Sequence, residues 1–94
     1  MSTAGSVYNP SDGEPPRNYS RPGLSPREVE VMLAWIQCDS KANVGKRLYI
    51  SLGTVNTHVG RIRHKYESVG REAPTKAALV ARALQDGLIG VDDL

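Results

Sequence analysis

Between Ser40 and Tyr66 the chain carries six Lys or Arg residues and both of its histidines, with no Asp or Glu among them. All ten acidic residues lie outside that stretch, so a formal net charge of only +2 conceals one basic segment between neutral and slightly acidic flanks. A focused positive field of this kind is the footprint of a polyanion binder. A solvated helix face could carry the same charge, so the residues between the basic ones have to separate the two readings. Among them are Asn56 and Thr57, side chains able to hydrogen-bond to base edges or phosphates.

Other chemistries find little support. No pair of carboxylates, Gly-rich phosphate loop or Ser/His/Asp constellation has a spacing that would build an active site, so no enzyme activity, cofactor or small-molecule substrate is expected. The single cysteine, Cys38, rules out an internal disulfide and reads as a small buried hydrophobe. Two histidines and one cysteine at these spacings match no familiar metal site.

The elements that position the basic segment can be read from caps and periodicity. Residues 1–23 hold Pro10, Pro15, Pro16 and Pro22 with Gly, Ser and balanced charges. Such a composition cannot offset the entropy of ordering, so residues 1–23 are expected to be a disordered leader or linker, with Val7, Tyr8 and Tyr19 the only residues there suited to docking. Residues 24–94 form one domain. No apolar run approaches the roughly 18 residues that span a bilayer, and the N-terminus lacks the apolar stretch of a secretory signal, which gives a cytoplasmic reading.

Ser25-Pro26-Arg27-Glu28 is a helix start, with Ser25 as cap, Pro26 at the first helical position and Glu28 closing a capping box. The first helix is predicted over Pro26 to Gln37, turning Val31, Met32, Trp35 and Ile36 inward. Asp39 or Ser40 caps a second helix over Lys41 to Leu48, and Ser51 caps a third over Leu52 to Tyr66. In the third helix Val55, Val59, Ile62 and Tyr66 follow the 3.6-residue period. A fourth helix is predicted from Thr75 to Asp86, stopped by Gly87, with Ala77, Val80, Ala81, Leu84 and Leu88 inward and Leu79 and Ala83 outside that face.

Two helices joined by so tight a turn, the second apolar on one side and small, polar or basic on the other, describe a helix-turn-helix unit. The apolar stripe fixes the third helix to the domain and leaves Gly53, Asn56, Thr57, Gly60 and His64 on the opposite face. A helix so presented has the width to enter the major groove of duplex DNA.

The motifs Leu24-Ser25-Pro26-Arg27-Glu28, Arg47-Leu48-Tyr49-Ile50-Ser51, Gly53-Thr54-Val55-Asn56-Thr57-His58 and Arg61-Ile62-Arg63 with Lys65 resemble the LuxR/FixJ/NarL type of bacterial DNA-binding domain. The resemblance implies an all-α, four-helix domain that binds double-stranded DNA to regulate transcription, its third helix being the recognition helix. It places base contacts at Asn56 and Thr57, with Gly53 and Gly60 at neighbouring contact positions. Phosphate contacts fall to Thr54, Arg61 and Lys65, with Ser51, Lys46 and Arg47 as weaker candidates. His58 either packs beside the helix or meets a phosphate. The resemblance also implies the output domain of a response regulator in a two-component system, similar in its longer loop Glu67 to Pro74 to those of actinobacteria. It implies a homodimer formed on DNA through the last helix, for which Leu79 and Ala83 are the candidate surface, and possible contact with RNA polymerase. The competing expectation is a protein-interaction module whose partner is a polymerase subunit, a sigma factor or an upstream regulatory domain.

This chain departs from the family pattern at Cys38, where a helix-ending glycine is usual, so the first turn must close by another route. Gly45 stands for a usual alanine, and Gly60 lies inside the third helix. Each is expected to cost about 1 kcal/mol relative to Ala.

Overall fold

The computed structural model describes residues 19–94. Of the leader expected over residues 1–23, residues 1–18, with Val7 and Tyr8, lie outside the described residues. Four helices follow in order: α1 Pro26–Gln37, α2 Lys41–Leu48, α3 Leu52–Ser68 and α4 Lys76–Gln85, closed by a 3-10 turn at Val91–Asp93. The described residues contain no strand, and the fold is all-α as expected.

Every α-helix begins at a Ser or Thr in extended conformation whose oxygen accepts an otherwise unpaired N–H of the first turn. Ser25 Oγ accepts from Glu28 N at 3.1 Å while Glu28 Oε1 accepts from Ser25 N at 2.9 Å, a complete capping box. Ser40, rather than Asp39, caps α2 through Asn43 N at 3.2 Å. Ser51 caps α3 through Thr54 N at 3.1 Å, and Thr75 caps α4 through Ala78 N at 3.1 Å. Gly87, at φ +71°, stops the last helix and turns the Leu88 N–H back onto the Ala83 carbonyl.

The first helix ends without a glycine. Cys38 stays extended at φ −102°, its N–H donating to Ala34 O, and the Lys76 ammonium donates to the Cys38 carbonyl at 2.6 Å. Lys76 and Lys41 also lie 4.3 and 5.6 Å from the Trp35 ring centroid. Trp35 is therefore part of the packing, half-buried between two cations that link α1 to the starts of α2 and α4.

The core joins Val31 and Met32 of α1, Val44 of α2, Val55, Val59, Ile62 and Tyr66 of α3, and Leu79 and Ala83 of α4. The inward stripe expected of α3 is buried along its whole length. In α4 the expected face is corrected. Leu79 and Ala83 are fully buried, Val80, Leu84 and Leu88 are half-buried, and Ala77 and Ala81 face solvent. Residues 77–81 are all apolar, so periodicity there does not single out a face. The rotation of α4 is seen only in the fold, where Leu79 and Ala83 pack into the core and Lys76 donates across to Cys38 O.

Two buried charge clusters anchor the ends of the bundle. Glu28 lies against Lys65, as described below. Arg71 is buried with Asp86, Nη2 to Oδ1 at 2.7 Å, and Asp86 Oδ2 accepts from Tyr66 OH at 2.7 Å. Burial, then the neighbouring Asp86 carboxylate, pushes the Tyr66 phenol well above its ordinary value, so it remains a donor. The same guanidinium lies 4.7 Å from the Tyr19 ring and donates to Ser20 O at 2.8 Å, which holds residues 19–20 against the domain.

Candidate nucleic-acid interface

The buried stripe of α3 leaves Gly53, Thr54, Asn56, Thr57, Gly60, Arg61 and His64 exposed along one side. No acidic side chain interrupts that side from Ser51 to Tyr66. The Asn56 amide forms no hydrogen bond with another described residue, which leaves its paired donor and acceptor free for an external partner. Thr57 Oγ1 donates to Gly53 O at 3.0 Å, so its proton is committed while its methyl and lone pairs remain outward. Thr54 Oγ1 and Ser51 Oγ lie 2.9 Å apart and form one hydroxyl pair at the start of the helix. A Cβ added at Gly60 would meet nothing within 4 Å, and one at Gly53 would meet only Ser51 Oγ at 3.9 Å. Both positions are flat and open, without local demand for glycine.

The cationic residues divide. Arg61 is exposed and makes no bond to another described residue. Lys46 is exposed, and Arg47 is exposed with Nη1 donating to Gln37 Oε1 at 3.1 Å. Lys65, unlike Arg61, is paired within the fold: its ammonium donates to Glu28 Oε1 at 2.6 Å and Gly23 O at 3.2 Å. Burial of Glu28 opposes its ionisation, but Lys65 and the Ser25 cap together outweigh that and hold its carboxyl below the usual carboxylate value. The expected dimer surface at Leu79 and Ala83 is corrected, because both are wholly inside the core. His58 is half-buried, with Nδ1 enclosed and lacking a hydrogen-bond partner, so it packs beside the helix. Arg63 is half-buried as well, in a cleft with Glu67, Glu72, Ala73 and Pro74.

The turn that presents α3 depends on Gly45. Its carbonyl accepts from Tyr49 N–H and, at 2.9 Å, from Ile50 N–H. A Cβ at Gly45 would stand 2.6 Å from the Ile50 carbonyl oxygen. Gly45 is therefore a requirement of this turn rather than a helix defect, reversing its expected cost. Tyr49 ends α2 in the left-handed region at φ +59°. Spacing drew attention neither to this strained, exposed tyrosine nor to the pairing of Glu28 with Lys65. The capping box explained Glu28 fully at the level of sequence and so concealed its second partner.

A short capped helix, a rigid turn and a longer helix with an exposed, acid-free polar face define a helix-turn-helix DNA-binding domain. The family model for bacterial regulatory proteins of the luxR family matches residues 22–73, more than half of the chain, and the chain belongs to that family. It is a family of DNA-binding transcription regulators, not of enzymes. No curated protein sequence and no solved structure matches the chain. No described helix is long and apolar enough to cross a membrane.

Proposed function

We propose that the domain reads a specific duplex sequence by laying α3 in the major groove. Asn56 and Thr57 face base edges, while Gly53 and Gly60, lacking side chains, allow the helix to approach closely. Arg61 and the Ser51–Thr54 hydroxyl pair anchor the backbone, with Lys46 and Arg47 reaching flanking phosphates from α2. The observation that carries this reading is the exposed, uncommitted Asn56 amide on an acid-free face bearing the free Arg61 guanidinium.

In its biological setting the domain acts in the cytoplasm as the output half of a two-component response regulator. It pairs on DNA as a homodimer through the solvent-facing side of α4, at Ala77 and Ala81, with half-sites about one helical turn apart. Contact with RNA polymerase then links binding to transcription.

Selection of duplexes from a random-sequence library by the purified domain tests the reading. Enrichment of a short motif, bound well above a scrambled duplex in anisotropy titrations, is the expected result. Equal, weak, salt-sensitive binding to all duplexes would reduce the surface to a nonspecific basic patch.

A further inference from the structure

Tyr49 is 94 % exposed, the most exposed large apolar side chain among the described residues. It is also their one non-glycine residue at positive φ. The fold gains almost nothing from its ring, yet bears the cost of the left-handed conformation, which Gly or Asn would adopt far more easily. A turn selected only for folding would not place a tyrosine here.

The support beneath that ring is rigid. Tyr49 and Ile50 both donate to the Gly45 carbonyl, and Gly45 packs so closely on the Ile50 carbonyl that no side chain fits between them. On the other side, Arg27 Nη2 donates to Leu48 O at 3.4 Å. The exposed ring is thus carried on a fixed turn that follows Lys46 and Arg47 of α2 in the chain and precedes Ser51, the cap of α3.

From these observations we infer that Tyr49 is a DNA-backbone contact, its phenol hydroxyl donating to a phosphate and its ring covering the adjoining deoxyribose. The inference rests on the proposed placement of α3 in the major groove and adds a residue to it. Charge favours this partner: Ser40 to Tyr66 contains no carboxylate, the nearest cations along the chain are the exposed Lys46 and Arg47, and Glu30, brought towards the turn by Arg27, is neutralised by its ion pair with that arginine. Tyrosine suits the boundary between sugar and phosphate, since one end is apolar and the other a hydrogen-bond donor. A contact to the backbone strengthens binding to every sequence alike.

The test compares wild type, Tyr49→Asn, Tyr49→Phe and Asn56→Ala on the library-enriched duplex and on a mixed-sequence duplex at low salt, with a thermal melt of each protein. Asn relieves the left-handed residue, so Tyr49→Asn keeps or raises the melting temperature. It weakens binding to both duplexes by the same factor, roughly tenfold, and Tyr49→Phe by roughly threefold, as expected for one lost hydrogen bond. Asn56→Ala weakens only the enriched duplex. Wild-type affinity in Tyr49→Asn, alongside loss in Asn56→Ala, would overturn the Tyr49 contact while leaving the reading of α3 intact. Failure of the wild type to enrich any duplex would overturn base reading by α3; the Tyr49 contact is then judged on the mixed-sequence duplex, where equal binding by wild type and Tyr49→Asn would overturn it.

Discussion

The Lys65 ammonium lies 2.6 Å from the Glu28 carboxylate, joining the C-terminal half of α3 to the first turn of α1. The cation expected at a phosphate is thus paired within the fold, and the Glu28 side chain it meets is 5 % exposed. The carboxylate thus serves the Ser25 capping box and the α1–α3 contact at once.

Lys65→Met should therefore act on stability rather than on DNA. Leaving Glu28 buried with only its cap costs roughly 1–3 kcal/mol, read as a lower denaturation midpoint. The salt dependence of binding should stay close to that of wild type. Arg61→Ala should do the reverse, keeping stability and reducing the log–log salt slope by about one unit. A loss of slope in Lys65→Met equal to that in Arg61→Ala would restore Lys65 as a phosphate contact.

The same carboxyl predicts how the domain responds to acid. Because the folded state holds Glu28 below its ordinary value of 4.5, the folded chain binds fewer protons at this site than the unfolded chain as pH falls past that value. The stabilisation is fully present above pH 4.5 and is lost as pH drops through the lower folded value. Glu28→Gln should be less stable than wild type near neutrality, with the gap narrowing in urea titrations at progressively lower pH. A gap that stayed constant with pH would remove the linkage.

The glycines of the helix-turn-helix unit should respond in opposite directions. Gly45→Ala drives a Cβ into the Ile50 carbonyl, which cannot yield as a flexible side chain would, and should lower stability by roughly 1–3 kcal/mol despite the better helix propensity of alanine. Gly60→Ala, with open space around it, should raise stability by up to about 1 kcal/mol. Thermal melts of the two variants side by side are sufficient to check both signs.

These cases also show where sequence reasoning reached and where it stopped. The four helices were legible because each begins at Ser25, Ser40, Ser51 or Thr75, and because Val55, Val59, Ile62 and Tyr66 repeat at one clear period. The exposed side of α3 followed from that stripe by subtraction. The rotation of α4 was not legible, since residues 77–81 are apolar on every side and the packing of Leu79 and Ala83 into the core, with the Lys76 bond to Cys38 O, depends on residues far along the chain. The Glu28 partner of Lys65, the demand for Gly45 and the angle of Tyr49 escaped notice for a related reason. Their roles depend on one residue across the fold or on a backbone angle, and neither leaves a local pattern.

Base reading by α3 is tested most directly at Asn56. Wild type and Asn56→Ala would be titrated by anisotropy against the library-enriched duplex and each of its single-base-pair variants at fixed salt. Asn56→Ala should lose roughly 1–3 kcal/mol on the enriched duplex and its discrimination at one base pair, while keeping the preferences elsewhere in the site. An Asn56→Ala profile matching that of wild type in affinity and in every preference would contradict the placement of this helix face on the bases.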